Sequence, residues 1–286
     1  MAAHLGKVSA DMLFVSEPNP YMFGNRENPR DAAARSAAGW ASESHNWLKS
    51  RFHFSFAEYN NPRNQQFGKL RVMNDDLVQP GRGFGTHGHA EMEIATYVVE
   101  GELTHKDSMG TSETLGRGSV QFMTAGTGVR HSEHNLGSTP LRFIQMWVQP
   151  AKMHLSPNYG SVRGELVAKA RRDQFAHLVA PVGSGAGVGF LQLNQDVNMY
   201  VAELGAGKHA SLPVALGAQR QAYALLIEGT ADIRVGEQRS EHLVRHEAVE
   251  MVGGAKPEAV LVTAGAEGAH CLVVEMKADG RGGRTT

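Results

Sequence analysis

Short apolar runs broken by glycine constrain this chain more than any other feature. It carries 33 glycines in 286 residues, and the runs between them have the length and composition of strands joined by tight turns. Strands are expected at 69–73, 94–99, 102–105, 120–123 and 141–148, and again at 190–193, 199–204, 223–228, 231–235, 260–262 and 271–275. In 141–148, Leu141, Phe143, Gln145 and Trp147 alternate with Arg142, Ile144, Met146 and Val148. Apolar residues fall on both faces, so this strand should be covered on both sides. Only 29–38, rich in alanine, and 164–174 read as helical, with Asn28 as the expected cap of the first and Pro29 at its first helical position. The fold class is all-β, with few short helices.

The two halves echo each other. Tyr97-Val98-Val99-Glu100-Gly101-Glu102-Leu103 answers to Leu225-Leu226-Ile227-Glu228-Gly229-Thr230-Ala231. Each reads as strand, Glu-Gly turn and strand, and a duplicated β-barrel accounts for the pair. Between the halves the periodicity lapses over 153–161, with Pro157, Asn158 and Gly160, which reads as a link.

Lys and Arg number 28 against 29 Asp and Glu, a formal net charge of −1. Such a balance gives no electrostatic reason to bind nucleic acid or an anionic membrane. Arg171-Arg172 and the 280–284 tail are the only basic clusters, and read as a solvated face and a terminus. The single cysteine, Cys271, lies in the apolar run Cys271-Leu272-Val273-Val274, so no disulfide forms within the chain and the thiol reads as buried and inert. No run approaches the roughly 20 apolar residues of a membrane span, and the first 18 residues lack the pattern of a signal peptide. The expected location is the cytoplasm, with a nucleus, where there is one, as the alternative. The glycine run 183–189 does not follow G-x-G-x-x-G and leads into a strand, so it reads as a turn and not as a phosphate cradle.

Chemistry concentrates between His87 and His134, which hold five of the fourteen histidines. Four of the five belong to two short motifs, Gly85-Thr86-His87-Gly88-His89 and Gly128-Val129-Arg130-His131-Ser132-Glu133-His134. On a strand, residues i and i+2 share a face, so His87 aligns with His89 and His131 with Glu133, while Gly88 and Ser132 point away. Ser132 therefore does not make a serine-hydrolase site. Two such strands facing one another inside a barrel bring three imidazoles and one carboxylate to a point. That mixed nitrogen and oxygen set suits Fe(II), Mn, Co, Ni, Cu or Zn and is poor for Ca or Mg. A lone histidine is ordinarily structural; two paired motifs on glycine-bounded strands are not a scatter. Glu93 reads as a partner to a ligand's N–H more readily than as a ligand, and His105 and His134 as structural or rim residues. Met92, Phe122 and Trp147 are candidates to line the pocket, each equally readable as core.

His-x-His-x₃-Glu followed by Gly-x-x-His-x₃-Asn resembles the paired signatures of the cupin superfamily. Residues 46–149 resemble the pirin family more closely, through Trp47-Leu48, Phe54-Ser55-Phe56-Ala57, Leu70-Arg71-Val72-Met73-Asn74-Asp75-Asp76, Gly83-Phe84-Gly85-Thr86-His87 and Met92-Glu93-Ile94. The likeness continues through Tyr97-Val98-Val99-Glu100-Gly101, His105-Lys106-Asp107-Ser108-Met109-Gly110 and the segment from Thr124 to Glu133. It implies two tandem cupin (jelly-roll) barrels, with an iron-type site in the first whose fourth ligand is Glu133 and not the Glu of the first motif. Gly88 stands where the family usually has Pro. On this reading, 1–45 is an N-terminal extension, 46–150 the metal-binding cupin, 151–164 a linker, 165–277 a degenerate second cupin matched only loosely, and 278–286 a disordered tail. Superposing the turns at Gly101 and Gly229 sends His87, His89, His131 and Glu133 to Ala215, Gly217, Ala259 and Leu261, so the second barrel should hold no metal.

The resemblance implies two function classes: quercetin 2,3-dioxygenase activity in bacterial members and transcriptional co-regulation in eukaryotic ones. The favoured expectation is a dioxygenase that takes a small phenolic substrate and O2, with one divalent metal, foremost Fe(II), and Glu133 accepting the substrate's hydroxyl proton. The alternative is a non-catalytic, metal-dependent protein that binds a protein partner. A sugar- or acid-isomerising cupin fits the ligand set but not the pirin segments.

Overall fold

The computed structural model describes residues 3–184, 189–237 and 239–280. The 185–188 part of the glycine run and the tail from 281 lie outside the described residues. Among those described, strands dominate and there are two α-helices, Ala32–Ala37 and Gly164–Arg171. The chain divides into two compact units. One comprises Phe14–Asn60 and Val72–Leu166, the other Met1–Leu13, Asn61–Arg71 and Val167–Thr286.

The first unit packs two sheets. The larger runs, in order, Asn158–Val162, Val120–Thr124, Glu93–Glu100, Leu141–Val148, Leu70–Val78, Leu48–Phe52 and Phe14–Ser16. The smaller runs Arg82–His89, Val129–Asn135, Leu103–Asp107 and Ser112–Leu115. Strand alternation decides what enters the space between sheets. In Val129–Asn135 the odd residues Val129, His131, Glu133 and Asn135 are buried, while Arg130, Ser132 and His134 are not. The interior thus divides along this strand. At one end Trp47, Val98, Leu103, Leu115 and Phe143 close an apolar core, and at the other the interior is polar. Arg142, which the alternating pattern of its strand placed among apolar residues, is buried in a two-toothed pair with Asp75, its Nε and Nη2 donating to Oδ1 and Oδ2 at 2.8 and 2.7 Å.

The second unit is one nine-stranded antiparallel-rich sheet built on two long strands, Arg220–Val235 and Val260–Lys277. Sequence suggested two strands for each of these. Each is continuous because their pairing shifts register at Leu226/Glu228 and Gly229/Ala231, and such bulges bend a strand instead of ending it. Gly101 and Gly229 occupy matching places, with φ of 74° and 75°. A Cβ would lie 2.4 Å from the Pro140 oxygen at the first and 2.1 Å from the Gly268 oxygen at the second. The repeated Glu-Gly therefore marks a shared close crossing of backbones.

Several local expectations change. His4–Val8 pairs with Ala248–Val252 and so is a strand of the second unit. Asn158–Val162, read as link, pairs with Val120–Thr124 at the sheet edge. The first helix is capped by Asp31, whose Oδ1 accepts from Ala34 N–H at 2.8 Å, while Asn28 instead donates to Asn46. The second helix ends at Arg171. In the second unit His209–Ser211 pairs with Val260–Lys277, Ala210 facing Val262. The inward residues are Ala210, Leu212, Val260 and Val262, all in the unit's aliphatic core.

Candidate metal centre

Three histidines meet on the inner face of the smaller sheet. His131 sits directly across from His87, and Val129 from His89, while Glu133 lies across from Phe84 on the far side of His131 from His89. The three rings stand 4.5 to 4.8 Å apart, centroid to centroid. His131 Nε2 and His87 Nε2 point at each other across 3.1 Å. His87 Nδ1 lies 2.8 Å from the Gly85 carbonyl; as a donor to that oxygen it leaves the Nε2 lone pair free, the tautomer a metal ligand requires.

Glu133 faces the same space one step along, displaced by a bulge between His131 and Glu133. Its two oxygens accept from Gln121 Nε2 at 2.9 Å and Gln145 Nε2 at 2.8 Å. Gln145 in turn accepts from Trp147 Nε1 at 3.1 Å. Each carboxylate oxygen keeps a further lone pair, so the clamp fixes the carboxylate without exhausting it.

Directly opposite Glu133 on the neighbouring strand is His105, fully buried rather than on a rim. Its Nε2 donates to Asp107 Oδ2 at 2.9 Å, its ring stacks on Tyr159, and its Nδ1 has no hydrogen-bond partner. Potential ligand atoms fall into two overlapping groups, His87, His89 and His131, and His105, His131 and Glu133, each within 4.8 Å. Glu93 is buried but belongs to neither group. His134 and Ser132 line a depression on the other face of the strand.

Electrostatics favour neutral imidazoles. Burial, then the neighbouring charges of His131 and His87, push His89 down to about 4. Burial, then His87 and His105, push His131 to about 3. Asp107 is held below the usual carboxylate range: burial opposes this, but hydrogen bonds from His105, Thr111 and Met109 outweigh it. Three imidazole nitrogen donors beside a carboxylate suit a divalent transition metal, and the buried, convergent arrangement fits one.

The centre opens into a cavity of about 260 Å³ walled by Phe52, Phe56, Phe84 and Trp147. Trp147 stands edge-on to His89 at 4.8 Å. Met92 and Phe122 are not part of it. Met92 packs on Ile94, Met123 and Val129, and Phe122 faces away because its neighbour Gln121 takes the inward position. Gln121, Gln145 and the His105–Asp107 pair were not singled out by sequence, although His105 and Asp107 share the i, i+2 spacing of the two motifs.

Two antiparallel barrels, one carrying an inward cluster of histidines and a carboxylate, define a bicupin. The pirin family model matches residues 33–148, and a model described as the quercetinase C-terminal cupin domain matches 179–276. The chain belongs to the pirin family. It is 40% identical over 198 residues to a putative quercetin 2,3-dioxygenase of Pseudomonas aeruginosa, covering 69% of this chain and 82% of that protein. It is 35% identical to a pirin-like protein of Caulobacter vibrioides, covering 81% and 93%. A crystal structure of a bacterial pirin from Escherichia coli in complex with nickel(II) matches with a TM-score of 0.74 at 26% identity, covering 96% of this chain and 100% of that one. No helix among the described residues is long and apolar enough to cross a membrane.

Proposed function

We propose that this chain is a metal-dependent dioxygenase of the quercetinase type, cleaving a flavonol with O2. The observation that carries the reading is the imidazole cluster beside a clamped carboxylate, opening on an aromatic-walled cavity. It is supported by relatives named quercetin 2,3-dioxygenase, among them that of Escherichia coli at 40% identity over 190 residues.

In this reading His87, His89, His131 and Glu133 hold one divalent metal, foremost Fe(II), with Mn, Co, Ni, Cu or Zn able to use the same donors. When bound, the metal supplies Lewis acidity toward a phenolic oxygen and a place for dioxygen. The chain's own residues do the rest. Glu133 takes the proton of the substrate hydroxyl, and Gln121 and Gln145 hold its carboxylate in position for that transfer. Phe52, Phe56 and Trp147 sandwich a flat ring and exclude water from it. His105, held by Asp107, packs against the His131 ring at 5.2 Å between centroids.

The test is loss of the flavonol absorbance band, with dioxygen uptake, when quercetin is added in air to protein loaded in turn with Fe(II), Mn, Co, Ni or Cu. Turnover with at least one metal supports the reading. No turnover with any of them, together with a specific protein partner recovered only by the metal-loaded form, would move the assignment to the co-regulator class.

A further inference from the structure

The larger sheet presents a polar row to the cavity. Ser16 lies across from Ser50, and Ser50 across from Asp76. Two residues along, and so on the same face, Asn74 lies across from Phe52. Ser50 Oγ donates to Asp76 Oδ1, and Ser16 Oγ donates to Glu58 Oε1 nearer the surface. Asp76 also feels the charge of Glu133, which places it beside the metal centre. All five side chains line the same cavity as Phe52, Phe56, Phe84 and Trp147.

The hydrogen-bonding capacity left over in this row has one character. The hydroxyl protons of both serines are committed to carboxylates, so their oxygens remain as acceptors. Asn74 is 3% exposed and its Oδ1 has no hydrogen-bond partner. An unpartnered buried polar group costs free energy that folding alone does not recover. The walls around the row are aromatic and flat.

We propose that Asn74 and the Ser50–Asp76 pair are the specificity determinants of the cavity, accepting hydrogen bonds from O–H groups on the part of an aromatic substrate remote from its metal-binding oxygens. This rests on the dioxygenase reading and narrows it: the substrate is a polyhydroxylated aromatic, not a flavonol bearing only the metal-binding hydroxyl and carbonyl. A site that accepts from a substrate hydroxyl penalises the analogue lacking it, because its own buried polar groups then stay unpaired.

Two ligands separate the possibilities. Quercetin carries ring hydroxyls beyond the metal-binding pair; 3-hydroxyflavone carries none. Binding of each to nickel-loaded protein is measured by calorimetry without oxygen, for wild type, Asn74→Leu and Ser50→Ala. Wild type should prefer quercetin by about tenfold or more, in line with one or two hydrogen bonds of about 1 kcal/mol each. Both variants should bring the two affinities together. Asn74→Leu should also leave the melting temperature of the ligand-free protein equal or higher, since it removes a buried group with no partner; a merely structural Asn74 would lower it. Equal affinities in wild type, or a preference kept in both variants, would overturn the proposal while leaving the dioxygenase reading to stand on its turnover. Failure of both ligands to bind wild type would overturn the two together.

Discussion

At the scale of single residues, the centre depends on imidazoles that stay neutral. The pKa values of about 3 for His131 and about 4 for His89 lie below the ordinary value of about 6.5. The unfolded chain therefore binds more protons than the folded one between those limits, and stability rises with pH across that window. The metal-free protein should lose melting temperature as pH falls from 6.5 toward 4, and His131→Gln should flatten that loss. An identical slope in the two proteins would remove His131 from the account. Glu133→Gln should keep the fold, weaken the metal and lower turnover at least about a hundredfold beyond the loss of metal occupancy, if the carboxylate acts as a base. A glutamine there offers one acceptor oxygen to two amide donors, so Gln121 or Gln145 is left facing an NH2 group. Turnover that tracks metal content alone would contradict the base role.

These residues differ in how readable they were. His87, His89, His131 and Glu133 are legible because a period of two converts directly into one face of a strand. Gln121 and Gln145 are not, because each is a lone amide in an apolar strand and its partner lies across the barrel, 12 residues away in either direction. Asn74 and Asp76 sat in a quoted segment, Asn74-Asp75-Asp76, but alternation alone does not say which of the three turns inward. The answer came from pairing: Asp75 meets Arg142, and its neighbours meet the cavity.

At the scale of elements, two features hold the strands that carry the site. The buried Asp75–Arg142 pair ties Leu70–Val78 to Leu141–Val148, the strand that presents Gln145 and Trp147. Arg142→Ala would take the guanidinium away from a buried carboxylate, and chemical denaturation should show a loss of about 3–5 kcal/mol. A loss below about 1 kcal/mol would mean the pair is replaceable by water. At the Gly101 crossing, alanine adds both an unfavourable positive φ and a clash with the Pro140 carbonyl. Gly101→Ala should cost about 1–3 kcal/mol, measured as a shift in denaturation midpoint at unchanged slope. The strand positions themselves were largely visible in sequence, whereas bulges and edge strands were not. Asn158–Val162 contains a glycine and a polar start, and becomes a strand only because Val120–Thr124 offers it an edge. The two long strands of the second unit looked like four because the bulges at their centres interrupt the pattern without interrupting the backbone.

At the scale of the whole molecule, one chain carries the same architecture twice and the interiors have diverged. In the second unit Ala210, Leu212, Val260 and Val262 pack in an aliphatic core. The duplication was legible through its Glu-Gly turns. The central claim, that His87, His89, His131 and Glu133 hold one metal, is tested most directly by elemental analysis of purified protein after loading and desalting. The account predicts close to one divalent transition metal per chain in wild type, and a small residue of it in His87→Ala and His131→Ala. Equal metal in wild type and both variants, or two metals per chain, would contradict it.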